Sequence, residues 1–177
     1  MDEADTGSDV VVVGHSLGGL TAPLVAQRRP VRRIVFLCTA PVIDVGVAED
    51  LRKRLVTDRY LAMARFRDEN GRAVMSPKDS WSSFYHDCDD TTAAWAIARL
   101  RPQSALSMIE PWPLTDWPDV PRSVILARDD HAVRFDAGME AGRLILDGGD
   151  PTTIGGGHSP FLSRPADLAR LLHHTTL

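Results

Sequence analysis

Four consecutive valines at positions 10–13 run straight into Gly14, His15, Ser16, Leu17, Gly18 and Gly19. No other stretch constrains the fold as tightly. A β-branched run ended by glycine is the pattern of a parallel strand buried on both faces, which needs no polar alternation. Leu20, Leu24 and Val25 then recur at helical spacing from Leu17 to about Gln27, and Pro30 stops the run. Pro23 weakens this helix without reversing the reading. A second apolar run at 34–38 completes strand, helix, strand. Two strands joined that way in one sheet are parallel, with a right-handed crossover.

The next core strand is expected at 123–127, so residues 41–120 intervene where such units usually have connections of about 4–6 residues. This stretch reads as an insertion. Helical periodicity around Leu51 and Leu55, and again around Trp95 and Leu100, is punctuated by Pro77, Pro102, Pro111, Pro113 and Pro118, which predicts a helical cap. Alternation then resumes with a helix at 135–144, a short strand at 152–154 and a last helix at 165–173. Pro165 opens that helix, Asp167 lies in its first turn, and Leu168, Leu171 and Leu172 share one face. The fold class is therefore α/β: one domain with a parallel sheet and flanking helices formed by 1–40 and 121–177, and an inserted cap formed by 41–120.

The strand-to-helix junction also carries chemistry. A serine between glycines at such a bend sits on a strained turn that lifts its Oγ above the sheet, while the glycines let helix and strand approach. The amide of Leu17, at the helix start, would point at an oxyanion forming on a substrate carbonyl. A serine hydroxyl is a poor nucleophile at neutral pH unless an imidazole takes its proton and a carboxylate orients that imidazole. His158, in Gly155-Gly156-Gly157-His158-Ser159-Pro160, follows the last short strand on a loop able to swing the ring over the sheet edge. Ser159 supports the loop. The acid should follow a strand lying between the two in sequence, and Asp129 and Asp130 both qualify by position. One would orient the imidazole while the other faces solvent or caps the next helix.

Several alternatives are disfavoured. The net charge of -4 comes without a concentrated basic stretch, so neither nucleic acid nor an anionic membrane surface is an expected partner. Arg28, Arg29, Arg32 and Arg33 fall where a helix ends and complement its dipole. His86, Asp87, Cys88, Asp89 and Asp90 are adjacent and cannot all converge on one ion, and no second ligand pair appears, so they read as a helix start with an acidic first turn. Trp81, Trp95, Trp112 and Trp117 read as packing before pocket lining. Two cysteines make no disulfide framework, and Cys38 sits in an apolar run as a small hydrophobe. The first nine residues are acidic and no apolar run would span a bilayer. A soluble, cytoplasmic protein is expected, acting on a small molecule without metal or organic cofactor.

With GHSLGG, RDDHAV and GGGHSPFLSRPADLARLL in place, the chain resembles the α/β-hydrolase superfamily over essentially its whole length. It is most similar to the branch holding small bacterial esterases, plant methyl-ketone, methyl-salicylate and methyl-jasmonate esterases, and hydroxynitrile lyases. The segment WSSFYHDCDDTTAAWAIARLRPQS resembles the lid of bacterial members. The resemblance places the acid on Asp130, with Val133 and Arg134 trailing it. It also implies several strands and a His-Gly turn, supplying a second oxyanion N–H, ahead of the nucleophile strand. These would precede Met1, so a partial fold is expected, from a fragment or a mis-started reading frame. In such a chain the valine strand becomes a sheet edge open to self-association, and loss of one oxyanion donor costs about 2.7 to 4 kcal/mol of transition-state stabilisation.

The expected function is hydrolysis of small carboxylic esters, with Ser16 as nucleophile, His158 as base, Asp130 as orienting acid and Leu17 N–H on the oxyanion. Two other readings stay open: hydroxynitrile lyase chemistry on the same residues, and a non-catalytic binding module that keeps the residues without a working site.

Overall fold

The computed structural model describes residues 9–39, 54–62, 65–104 and 113–176; Leu51, Pro111 and Trp112 lie outside them. Strand β1 (Val11–His15), helix α1 (Ala22–Arg28) and strand β2 (Arg33–Leu37) open the described chain. The inserted region contributes α2 (Asp58–Leu61), β3 (Arg65–Arg67), β4 (Ala73–Met75), α3 (Pro77–Ser80) and α4 (Asp90–Ile97). Then come β5 (Arg122–Ala127), α5 (Phe135–Ile145), β6 (Thr152–Ile154), α6 (Pro160–Ser163) and α7 (Pro165–Thr176). Strands β1, β2, β5 and β6 form one parallel sheet in that spatial order, with Val11 opposite Arg33, Ile34 opposite Arg122 and Ile125 opposite Thr152.

Side-chain alternation along the two central strands divides the core. Ile34, Phe36, Val124 and Leu126 face one layer with Ala22 of α1 and Ile145 of α5. Val35, Leu37, Ile125, Ala127 and Ile154 face the other with Leu168 of α7, and Leu171 and Leu172 pack against them as expected. Each large apolar side chain removed from water contributes about 1.5–3 kcal/mol, so β2 and β5 form a stiff platform under the loops at their C-terminal ends. Trp117 stacks edge-on to Phe36 with ring centroids 5.6 Å apart and packs against that layer of the core. Trp81 and Trp95 are exposed.

Three expectations need correction. The valine strand is not buried on both faces: among the described residues β1 pairs only with β2, and Val13 is 43% exposed. The helix expected from Leu17 is split into a tight 3-10 turn at Ser16–Leu20 and α1, which begins at Ala22. Pro23 thereby falls in the first turn of α1, where its missing N–H leaves no intrahelical bond unmade. Arg33 is not at a helix end; it lies in β2, where its guanidinium donates to Ser123 Oγ at 3.0 Å.

The insertion is not purely helical either. Strands β3 and β4 form an antiparallel hairpin, pairing Arg65 with Met75. Its turn is held by Asp68, whose carboxylate accepts from the amides of Asn70 and Arg72, and by Gly71 at a φ of 72°. Three-residue strands carry too little alternation to register against the helical pattern around them. The expected helix start is present: the side chain of Asp89 accepts from Thr92 N at 2.9 Å and Asp90 lies in the first turn of α4. No described helix is long and apolar enough to cross a membrane.

Candidate active site

Strand β1 delivers Ser16 in the left-handed region, at a φ of 50°. A β-substituted residue there is strained, and the surroundings show what holds it. A Cβ on Gly14 would lie 2.8 Å from Gly18 O and 2.9 Å from Ala22 Cβ, and one on Gly19 would lie 2.8 Å from Thr39 Cγ2. Strand, turn and helix are thus pressed together at two glycines. Gly18 differs: a Cβ there would meet nothing within 4 Å, so packing does not require that glycine. Leu17 is half-buried in the tight turn immediately after Ser16.

The three side chains that the sequence singles out meet. Ser16 Oγ lies 2.9 Å from His158 Nε2, and His158 Nδ1 lies 2.8 Å and 3.0 Å from the two oxygens of Asp130. An ionised carboxylate only accepts, so Nδ1 carries the proton and Nε2 is left to accept from the serine hydroxyl. Asp130 and His158 are 2% exposed each. Asp130 Oδ1 also accepts from the amides of Ala132 and Val133, at 2.7 and 2.9 Å, which fixes the carboxylate independently of the imidazole.

Asp129 is exposed, as expected of the neighbouring aspartate, and it also ties down a loop: its Oδ2 accepts from Gly156 N at 3.2 Å, while its own amide donates to Gly156 O at 3.0 Å. The two adjacent aspartates divide the work, one orienting the ring of His158 and the other tying down its loop. The inserted region braces the same place. The amide of Thr57 donates to Ala132 O and that of Arg134 to Leu55 O, and Arg134 pairs with Asp58 at 2.6 Å. His131 donates from Nδ1 to Ser82 O at 2.9 Å and stacks on His86 with centroids 3.6 Å apart and planes 14° from parallel.

Other residues at the site carry no sequence signal of their own. His15 Nε2 lies 2.8 Å from the carbonyl of His158, and its ring packs against those of His158 and Phe161 with centroids 4.8 and 4.9 Å apart. Burial, and then the nearby imidazole of His158, lower the pKa of His15 to about 4. It is therefore neutral at physiological pH and donates from Nε2 to that carbonyl. Phe84 of the inserted region lies 5.2 Å from the His158 ring. Cys38 directly follows β2 at a φ of 47° and is fully buried; burial, and then the charge of Asp130, push its thiol well above the ordinary range, so it is inert at neutral pH.

A strained serine directly after strand β1, an imidazole after the last strand and a carboxylate after the strand between them define an α/β-hydrolase arrangement. The model of the alpha/beta hydrolase family matches residues 2–171, and the chain belongs to that family. The alpha/beta hydrolase nvfD of Aspergillus novofumigatus is 25% identical over 181 residues, covering 97% of this chain and 71% of that protein. Similar solved structures include polyneuridine aldehyde esterase, at 16% identity and a TM-score of 0.76, covering 97% of this chain and 73% of that one. A pyrethroid hydrolase from Sphingobium faniae matches at 20% identity and a TM-score of 0.70, with coverage of 98% and 72%. A methylesterase from Arabidopsis matches at 18% and 0.71, with coverage of 97% and 71%. At these identities the structural likeness is one of fold.

Proposed function

We propose that this chain acts as a serine hydrolase on small carboxylic esters, with Ser16, His158 and Asp130 as its triad. The observation that carries the reading is the continuous hydrogen-bonded path from Ser16 Oγ through His158 to Asp130, in a site where base and acid are almost fully buried. In the first half-reaction Ser16 Oγ bonds to the acyl carbon as its proton passes to His158 Nε2. Leu17 N–H is a donor to the resulting oxyanion, and Asp130 stabilises the imidazolium. Collapse breaks the bond to the alkoxide, which leaves as alcohol with the proton from His158. Water, deprotonated by the same nitrogen, then attacks the acyl-serine, and the acid departs as Ser16 regains its proton. The aromatic rings of Phe84 and Phe161 near His158 and His15 suit an organic ester of modest polarity, and similar folds include esterases and a pyrethroid hydrolase.

The test is labelling by a fluorophosphonate probe beside a Ser16→Ala control, with turnover of a short-chain aryl ester. Labelling and turnover abolished in Ser16→Ala are the expected results. Equal signal in both proteins removes Ser16 from the mechanism, and labelling without ester turnover directs attention to cyanohydrin cleavage.

A further inference from the structure

The loop carrying His158 begins with three glycines, and the inserted region explains why two of them bear no side chain. A Cβ on Gly157 would lie 2.5 Å from His86 Cε1 and 2.8 Å from Asp87 Oδ1. One on Gly156, whose φ is 85°, would lie 2.5 Å from both Asp87 Oδ2 and Arg164 Nε. Asp87 makes a direct bond here: its Oδ2 accepts from the amide of Gly157 at 2.7 Å, across 70 residues of sequence. Amide-to-carboxylate bonds of this length are charge-assisted and roughly twice as strong as neutral ones. The other oxygen, Oδ1, is buried and has no partner among the described residues. Leaving a buried carboxylate oxygen unpaired costs stability, so local stability does not account for the placement. Asp87 lies at the end of the segment that stacks His86 on His131, beside Asp130.

We propose that Asp87 is a positioning residue for His158: the insertion's carboxylate holds the amide preceding the imidazole, so that Nε2 meets Ser16 Oγ only when the segment ending at Asp87 is seated. The proposal rests on the reading of Ser16, His158 and Asp130 as a hydrolytic triad. Asp129 holds the previous amide from the core side, and Asp87 holds the next from the insertion. The base loop is therefore clamped between two bodies of the chain. Other ionisable groups around this carboxylate are His86 and Cys88 on its own segment, His131 and Asp130 on the acid loop, Cys38 directly after β2, and Arg164 after α6. Asp87 thus holds, through the amide of Gly157, the backbone that sets where the imidazole of His158 sits.

Wild type, Asp87→Asn and Asp87→Ala proteins separate this role from simple support. Asparagine keeps an oxygen facing Gly157 N and loses the charge, whereas alanine loses both. In Asp87→Ala, kcat for an aryl ester should fall roughly 10- to 100-fold through misplacement of the base, with KM holding within about threefold. Asp87→Asn, which keeps an acceptor for Gly157 N, should recover most of that rate. The NMR signals of the His158 ring in the same folded proteins read positioning without turnover: they should be displaced in Asp87→Ala and stay near wild type in Asp87→Asn. Wild-type kcat in Asp87→Ala, or a loss in Asp87→Asn as large as that in Asp87→Ala, would overturn the proposal. Failure of the wild type to label at Ser16, with the His158 signals displaced in Asp87→Ala as expected, would instead overturn the hydrolase reading.

Discussion

His15 donates its Nε2–H to the main-chain carbonyl of His158 at 2.8 Å, so the residue preceding the proposed nucleophile grips the backbone of the proposed base. The contact joins β1 to the last loop of the sheet and sets the reach between Ser16 and the imidazole from the strand side. Substitution His15→Leu keeps apolar bulk and removes the donor. A net hydrogen bond is worth about 0.5–1.5 kcal/mol, so aryl-ester kcat/KM is expected to fall up to about tenfold. Gln, which offers an N–H to the same carbonyl, should restore part of it. Matching activity in the leucine and wild-type proteins would show that the contact is dispensable.

Acid should weaken the fold before it protonates the structural carboxylates. His15 has its pKa lowered from 6.5 to about 4, by burial first and then by His158, so below about pH 6.5 the unfolded chain binds a proton that the folded chain refuses. Stability is complete above that range and declines as pH falls toward 4, with a slope approaching about 1.4 kcal/mol per pH unit. His86, lowered by burial and then by His131, acts in the same direction. Urea midpoints at pH 7, 6 and 5 measure the slope, and His15→Leu should flatten it.

The glycines of the elbow should respond unequally to one methyl group. At Gly14 a Cβ would press on the backbone carbonyl of Gly18, on Gly19 Cα and on Ala22 Cβ at 2.8–3.0 Å. Backbone cannot yield as a flexible side chain can, so Gly14→Ala should destabilise the chain and abolish serine labelling. At Gly18 the space is open, and Gly18→Ala should leave melting temperature and labelling nearly as they were. Parallel losses at the two positions would contradict the packing argument.

Among the described residues the outer edge of β1 has no strand partner and Val13 is exposed, a combination that invites pairing with another chain. We expect the apparent mass in light scattering to rise with protein concentration, and Val13→Lys to suppress the rise. A monodisperse monomer across that range would argue that this edge is protected.

Much of the core was legible in advance because its signals are local. Runs at 34–37 and 123–127 are buried at nearly every position and read directly as central strands, and Pro165, Asp167 and the leucines of α7 announced a capped amphipathic helix. The insertion was less legible. Its hairpin strands are three residues long, and the contacts of Asp87, His131 and Thr57 link positions far apart in sequence. Periodicity reports which face of an element is apolar and does not report which distant loop that element will touch.

Composition and spacing alone carried the parallel α/β order, the tight bend at Ser16 and two of the three residues proposed for the triad, Ser16 and His158, because each is encoded in a few neighbouring side chains. Only the tertiary structure decided between the duties of Asp129 and Asp130, since both follow the same strand and differ in which loop each carboxylate reaches. It likewise enlisted His15 and Asp87 around His158. Hydrogen bonds across tens of residues depend on how the layers close, and sequence spacing carries no record of that distance.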